Sequence, residues 1–352
     1  MQLRISLSIL VLLIFSQASL AGLKEGQIAV QSRNYILALK EFKPLAEQGN
    51  SEAQFNLGSM YWSGLGIHKD YTKAAYWYLK SAEQGLAAAQ FNLGAMFHNG
   101  IGVPQDYGKA VHWYAKAAEQ GNPQAQHNLA IMYHEGPGIP QDFAKAFYWE
   151  RKAAEQGHTR AQHNVGVLFS HGTGVTQDYE QAVYWFRKAA EQGDADAQYS
   201  LGLMYQEGRG VPIDYAQVRY WMGKSAAQGS ADAQFSLGKL FETGTGVPQD
   251  YKQAINWFRH AAAQGHVYAQ ASLGIMYFMG YGVPTNYVIS YALLNVAAAS
   301  ARPIKDMAIE SREIVVSVMS PAQVNNGQAL SRELVKPGNF LRALDKASKS
   351  IK

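Results

Sequence analysis

The sequence predicts an all-α fold, an α/α solenoid of helix–turn–helix repeats each 36 residues long. Three observations carry this. A glycine recurs at Gly49, Gly85, Gly121, Gly157, Gly193, Gly229 and Gly265 with no slippage. A glutamine keeps the same step from Gln54 to Gln270, and a tryptophan from Trp77 to Trp257. Within each copy, apolar residues return at three- and four-residue spacing, which marks helices and not strands. A fixed period of this length identifies one supersecondary unit that must stack on its neighbours to bury its apolar face.

Within one copy the elements can be justified in order. In the third, Asn122-Pro123 supplies a capping side chain and then a proline at the first helical position. Ala125, Leu129, Met132 and Tyr133 follow on one face, and Gly136-Pro137-Gly138 forces a turn. Asp142 caps a second helix, as Asp70, Asp106, Asp178, Asp214 and Asp250 do in the other copies. Its expected buried stripe is Ala146, Trp149, Ala153 and Ala154, and Gly157 ends it in the left-handed region. Truncating Trp149 or Trp185 to alanine is expected to cost about 3–5 kcal/mol. Glycines at 58, 94, 166, 202, 238 and 274 lie mid-helix, where each costs up to about 1 kcal/mol of propensity. A penalty repeated so often implies a steric need, most simply contact with an aromatic ring.

The strings Ala-Glu-Gln-Gly, Ala-Gln-x-Asn-Leu-Gly-x-Met-Tyr, Gly-x-Gly-Val-Pro-Gln-Asp-Tyr and Lys-Ala-x-x-Trp-Tyr resemble the Sel1-like repeat, over residues 50–301. The resemblance implies a right-handed superhelix with the first helix of each repeat on the concave side. It also implies a role as an adaptor that holds other proteins. Some exported relatives with a cysteine pair in each repeat are linked to β-lactam binding. This chain has no cysteine, so that property is not carried over.

The ends depart from the pattern. Arg4, the apolar run Ile5 to Phe15 and Ser19-Leu20-Ala21 read as a signal peptide over 1–21, which implies a periplasmic or secreted protein. The run is shorter than the roughly 20 residues of a membrane span, so no span is expected after cleavage. Residues 22–49 read as an N-terminal helical cap, with Asn34 capping a lone second helix. In the seventh repeat Leu293 replaces the tryptophan and Asn286 the capping aspartate. Residues 302–336 read as a C-terminal helical cap. Ile304, Met307, Ala308, Val315, Val318 and Met319 share one face, and Ser320-Pro321-Ala322-Gln323 forms a capping box. Residues 337–352, with Arg342, Lys346, Lys349 and Lys352, are expected to be a loose basic tail.

Composition excludes several functions. The absence of cysteine removes disulfides, thiolate metal sites and cysteine nucleophiles. A net charge of +4 on 352 residues, spread along the chain, argues against nucleic acid. Ser236-Leu237-Gly238-Lys239 matches Ser-x-x-Lys, but the partner motifs of penicillin-recognising enzymes are missing. No nucleophile–base pair is found, so no catalytic residue, enzyme activity or cofactor is assigned.

What remains is a surface. On the first helices, one wandering column contains Phe91, His127, His163 and Tyr199, and another, seven residues on, contains His98, His134 and Gln206. These seven are the candidate partner-binding residues, since amphipathic aromatics are enriched at binding surfaces. His98, His127, His134, His163 and His171 are also weighed as metal ligands. No His-Glu-x-x-His pattern exists, and no metal is assigned. The expected function is a non-enzymatic cell-envelope scaffold that binds a protein or peptide on the concave face. The alternative is a binder of peptidoglycan fragments or other envelope glycan, with weak β-lactam recognition.

Overall fold

The structure is a computed structural model that describes residues 20–299 and 304–349. The residues of the signal-peptide expectation, apart from Leu20 and Ala21, lie outside the described part. Among the described residues there is no strand, and the chain divides into two compact units between Gln177 and Asp178.

The first unit opens with α1 (20–31) and α2 (Tyr35–Glu47), whose N-cap is Asn34 as expected. Helix pairs follow: α3 (Ser51–Ser63) with α4 (Tyr71–Glu83), α5 (Ala87–Asn99) with α6 (Tyr107–Glu119), and α7 (Pro123–Glu135) with α8 (Phe143–Glu155). α9 (Thr159–His171) completes it. Each helix packs on the next, both inside a pair and from pair to pair. This is the expected all-α solenoid of helix pairs.

The second unit holds α10 (Tyr179–Glu191), α11 (Ala195–Glu207), α12 (Tyr215–Ala227), α13 (Ala231–Thr243), α14 (Tyr251–Ala263), α15 (Val267–Met279) and α16 (Tyr287–Ala297). It is closed by α17 (Ile304–Ser317), α18 (Pro321–Leu334) and α19 (Phe340–Lys349). The capping box of Ser320 and Gln323 is formed. Of the face expected on α17, Ile304, Ala308 and Val315 are buried, whereas Met307 and Val318 are exposed. The tail expected to be loose is instead helical over Phe340–Lys349. Phe340, Ala343 and Leu344 recur at helical spacing and bury themselves against Phe258, Tyr277 and Leu293. Lys346 and Lys349 are exposed on the other face of this amphipathic helix, and Lys352 lies outside the described residues.

Why these residues repeat is visible in the contacts. Each glutamine of the ladder donates from Nε2 to a carbonyl eight residues back, as Gln90 does to Ala82 at 3.1 Å and Gln126 to Ala118 at 3.0 Å. In Gln54, Gln90, Gln126, Gln198 and Gln234 the Oε1 also accepts from a second glutamine at the end of the following helix, as from Gln120 to Gln90 and from Gln156 to Gln126, both at 2.7 Å. Buried amides are tolerated because both ends are satisfied. The loop glycines are equally specific. A Cβ on Gly102, at φ +72°, would fall 2.3 Å from the Tyr71 carbonyl oxygen, so only glycine lets the loop rest on α4.

The tryptophan column is less central than its period suggests. Trp113, Trp185 and Trp221 are buried, but Trp77, Trp149 and Trp257 only half so. The deep residue is the next one along: Tyr78, Tyr114, Phe186, Met222, Phe258 and Leu294 are each at most 2% exposed. In α8 the buried stripe is Ala146, Glu150, Ala153 and Ala154, not the stripe through Trp149. A step of one residue turns a helix by about 100°, which moves the indole onto the flank. The mid-helix glycines do meet rings, but of this second column. An added Cβ would lie 2.8 Å from Cδ1 of Tyr114 at Gly94, and 2.5 Å from the Phe258 ring at Gly238. Gly202 and Gly274 make room for Met222 and Leu294 instead.

Candidate functional site

The first helices carry all seven candidate residues. Phe91, His163 and Tyr199 are half-buried, and His127 is buried at 6% exposure. Phe91 packs against Tyr114 with ring centroids 5.9 Å apart, and Tyr199 lies 3.4 Å from the Ser236 hydroxyl. Seven residues on, His98 is half-buried beside Tyr107 and His134 is exposed beside Phe143. Gln206 is half-buried, and its Oε1 has no hydrogen-bond partner among the described residues. Phe91, His98, His127, His134 and His163 belong to the first unit, Tyr199 and Gln206 to the second.

His98 and His134 each stand over a cavity. The first, about 260 Å³, is lined by Ala95, His98, Asn99, Tyr114, Asn128, Ile131 and Met132. The second, about 350 Å³, is lined by the residues 36 places on, namely Ile131, His134, Glu135, Glu150, Asn164, Val167 and Leu168, with Ala130 and Ala146. They are one site built twice, and the two copies differ at the back wall.

In the earlier copy the wall is Tyr114, whose ring presses on Gly94 and whose hydroxyl bonds Asn128. Burial pushes the Tyr114 phenol up, and the Asn128 bond only partly offsets this. Tyr78 is held the same way by Asn92 and Ser59, and burial raises its phenol too. In the later copy Glu150 stands at this position and is 2% exposed. Its Oε1 accepts from Asn164 Nδ2 at 2.7 Å and lies 2.9 Å from His127 Nδ1. Its Oε2 is 3.1 Å from the same Nδ1. Without a ring to receive, the mid-helix glycine becomes Ala130, and the phenylalanine of the earlier repeats becomes His127.

His127 was expected in the open groove with His134. It is instead inside, turned toward a carboxylate, because a buried charge must be paired and hydrogen-bonded. On its other side it stacks near His158, ring centroids 4.8 Å apart. The His158 imidazole caps α9 by accepting from Ala161 N–H at 3.2 Å. Burial holds it below its ordinary value, helped by the nearby charges of His127 and Arg160. The histidines weighed as metal ligands do not converge. Among the described residues no three His, Asp or Glu side chains form a group that could hold an ion. His171 is exposed and bonded to Ser170 at 2.9 Å.

Glu150 is the residue the sequence reading missed. The signal was available: it is the one acidic residue in a column that otherwise reads Tyr78, Tyr114, Phe186, Met222, Phe258 and Leu294.

Set beside known proteins, the chain matches the Sel1 repeat seven times, at residues 51–86, 87–122, 123–158, 159–194, 195–230, 231–266 and 267–301. A Sel1 repeat protein from Oxalobacter formigenes is 34% identical, with 69% of this chain and 96% of that one covered and a TM-score of 0.59. A protective antigen of uropathogenic Escherichia coli with this repeat fold is 29% identical over 95% of each chain, with a TM-score of 0.32. No sequence match is found among curated proteins. Seven matched repeats in phase, with the helix pairs described above, lead to one conclusion: the chain belongs to the Sel1 repeat family.

Proposed function

We propose that the protein is a non-catalytic scaffold that binds a protein or peptide partner along the surface lined by its first helices. Sel1 repeat proteins are in general protein-interaction scaffolds. The observation that carries the reading here is the paired cavity at His98 and His134, where a half-buried and an exposed imidazole border recesses of about 260 and 350 Å³. Interfaces gain most of their energy from anchors seated in pockets. The signal-like residues 1–21 support export, with the partner met in the periplasm or outside the cell.

The test is photocrosslinking from an unnatural residue at position 134 in living cells, read by mass. Capture of a defined protein or peptide, lost when His98 and His134 are both changed to alanine, is the expected outcome. Crosslinks to glycan alone would replace this reading with the envelope-glycan alternative.

A further inference from the structure

We propose that the cavity of the third repeat is a socket for one lysine side chain, with the Glu150 carboxylate as its ammonium acceptor. The inference rests on the scaffold reading only for the source of that lysine, a protein or peptide partner.

The cavity's lining includes two carboxylates, Glu135 at the exposed rim and Glu150 at the back, and no lysine or arginine. Between them the walls are aliphatic: Ala130, Ile131, Val167 and Leu168. That order suits a side chain with an apolar stem and a charged tip. Charge complementarity favours a cation, because an anion entering here would meet two carboxylates with only the imidazoles of His127 and His134 beside them.

The hydrogen bonds select lysine over arginine. Glu150 Oε1 is already engaged by Asn164 and by the closer His127 contact, whereas Oε2 has only the longer one, at 3.1 Å. A guanidinium fork needs both oxygens of a carboxylate. An ammonium is a point donor and needs one. The neighbouring cavity is a built-in comparison, since Tyr114 fills its back and no carboxylate lines it.

The experiment titrates the full chain with Nα-acetyl-lysine N-methylamide, following isotope-labelled methyl groups of Ile131, Val167 and Leu168 by NMR. The norleucine analogue, the arginine analogue and a free diamine are the comparison probes. Lysine is expected to shift these methyls, and norleucine to bind about tenfold more weakly, the loss of one hydrogen bond to a charged group. Arginine and the diamine are expected to fall below lysine. Glu150→Gln keeps the shape and is expected to lose about the same factor. The triple change His127→Phe, Ala130→Gly and Glu150→Tyr rebuilds the second repeat's wall and is expected to abolish the shifts.

Equal shifts from lysine and norleucine, or lysine binding that survives Glu150→Gln, would overturn the proposal. So would arginine or the diamine binding more tightly than lysine. Crosslinking from position 98 reports separately on the scaffold reading. Capture there without lysine binding at Glu150 removes only the socket, and lysine binding with no macromolecule captured at 98 or 134 removes the partner.

Discussion

The second and third repeats share a backbone plan and differ in what fills the space behind their first helices. In the second, Gly94 receives the ring of Tyr114, and Asn128 satisfies its hydroxyl. In the third, Ala130 faces Glu150, Asn164 donates to the carboxylate, and His127 replaces Phe91 to supply a further contact. The asparagine is kept because a polar tip remains to be satisfied. Where the tip is apolar, at Phe186, Met222 and Phe258, the sequence has Ser200, Ser236 and Ser272 in its place. Asn56 stands apart, turning to the Glu52 carbonyl at 2.9 Å. The comparison teaches that changes at 127, 130 and 150 form one unit. A buried, hydrogen-bonded carboxylate seldom outdoes a well-packed apolar replacement in stability. Stability alone would be served as well by an apolar residue there, and the proposed recognition of a cation would account for the carboxylate.

The largest effect should come from forcing one wall into the other's frame. Tyr114→Glu places a carboxylate beside Phe91 with only Asn128 to receive it, and is expected to cost about 3–5 kcal/mol in denaturant unfolding. His127→Phe strips the third repeat of its nitrogen and should cost about 3 kcal/mol. A double-mutant cycle with Glu150→Tyr should recover most of that, and additivity would mean the two residues are not coupled. Asn164→Ser should cost about 2 kcal/mol, as a bond to a charged group, and Asn128→Ser about 1 kcal/mol, as a bond to a phenol. Equal losses would erase the distinction between the walls.

The smallest effect is acid sensitivity of the cap beside the third-repeat pair. The folded His158 imidazole is held below its unfolded value of 6.5, so the unfolded chain binds more protons. Its contribution is complete above about pH 6.5 and is lost as pH falls through the lower folded value. The groups around it are His127, Arg160 and, through His127, Glu150. His158→Asn keeps a capping side chain of the kind used at Asn50 and Asn122. It should leave stability at pH 8 unchanged and flatten the decline between pH 7 and 5. His266 caps α15 in the same way, and burial also lowers its imidazole, with Asp232 opposing, so part of the decline should persist.

Much of the fold was legible because every copy repeats the same constraints. Caps and left-handed glycines are dictated by local geometry, and the in-phase recurrence of Asp142 or Gly157 reveals them. The phase of the second helix was misjudged, because a tryptophan attracts the eye while the deeper residue, one step on, varies among Tyr, Phe, Met and Leu. The amphipathic face of α19 was missed for a related reason, as its lysines masked Phe340, Ala343 and Leu344. The site was half legible. His98 and His134 could be placed on the outer face by spacing, but the inward turn of His127 depends on Glu150, a contact across 23 residues. The single departure from a column was the available clue, and it matters more than the columns that hold.

The central proposal, that the third repeat gives up a ring for recognition, is best tested by measuring denaturant stability and partner capture on the same His127→Phe, Ala130→Gly, Glu150→Tyr protein. The expected result is a midpoint equal to or above that of the natural chain, together with loss of capture at position 134. A lower midpoint with capture intact would contradict it.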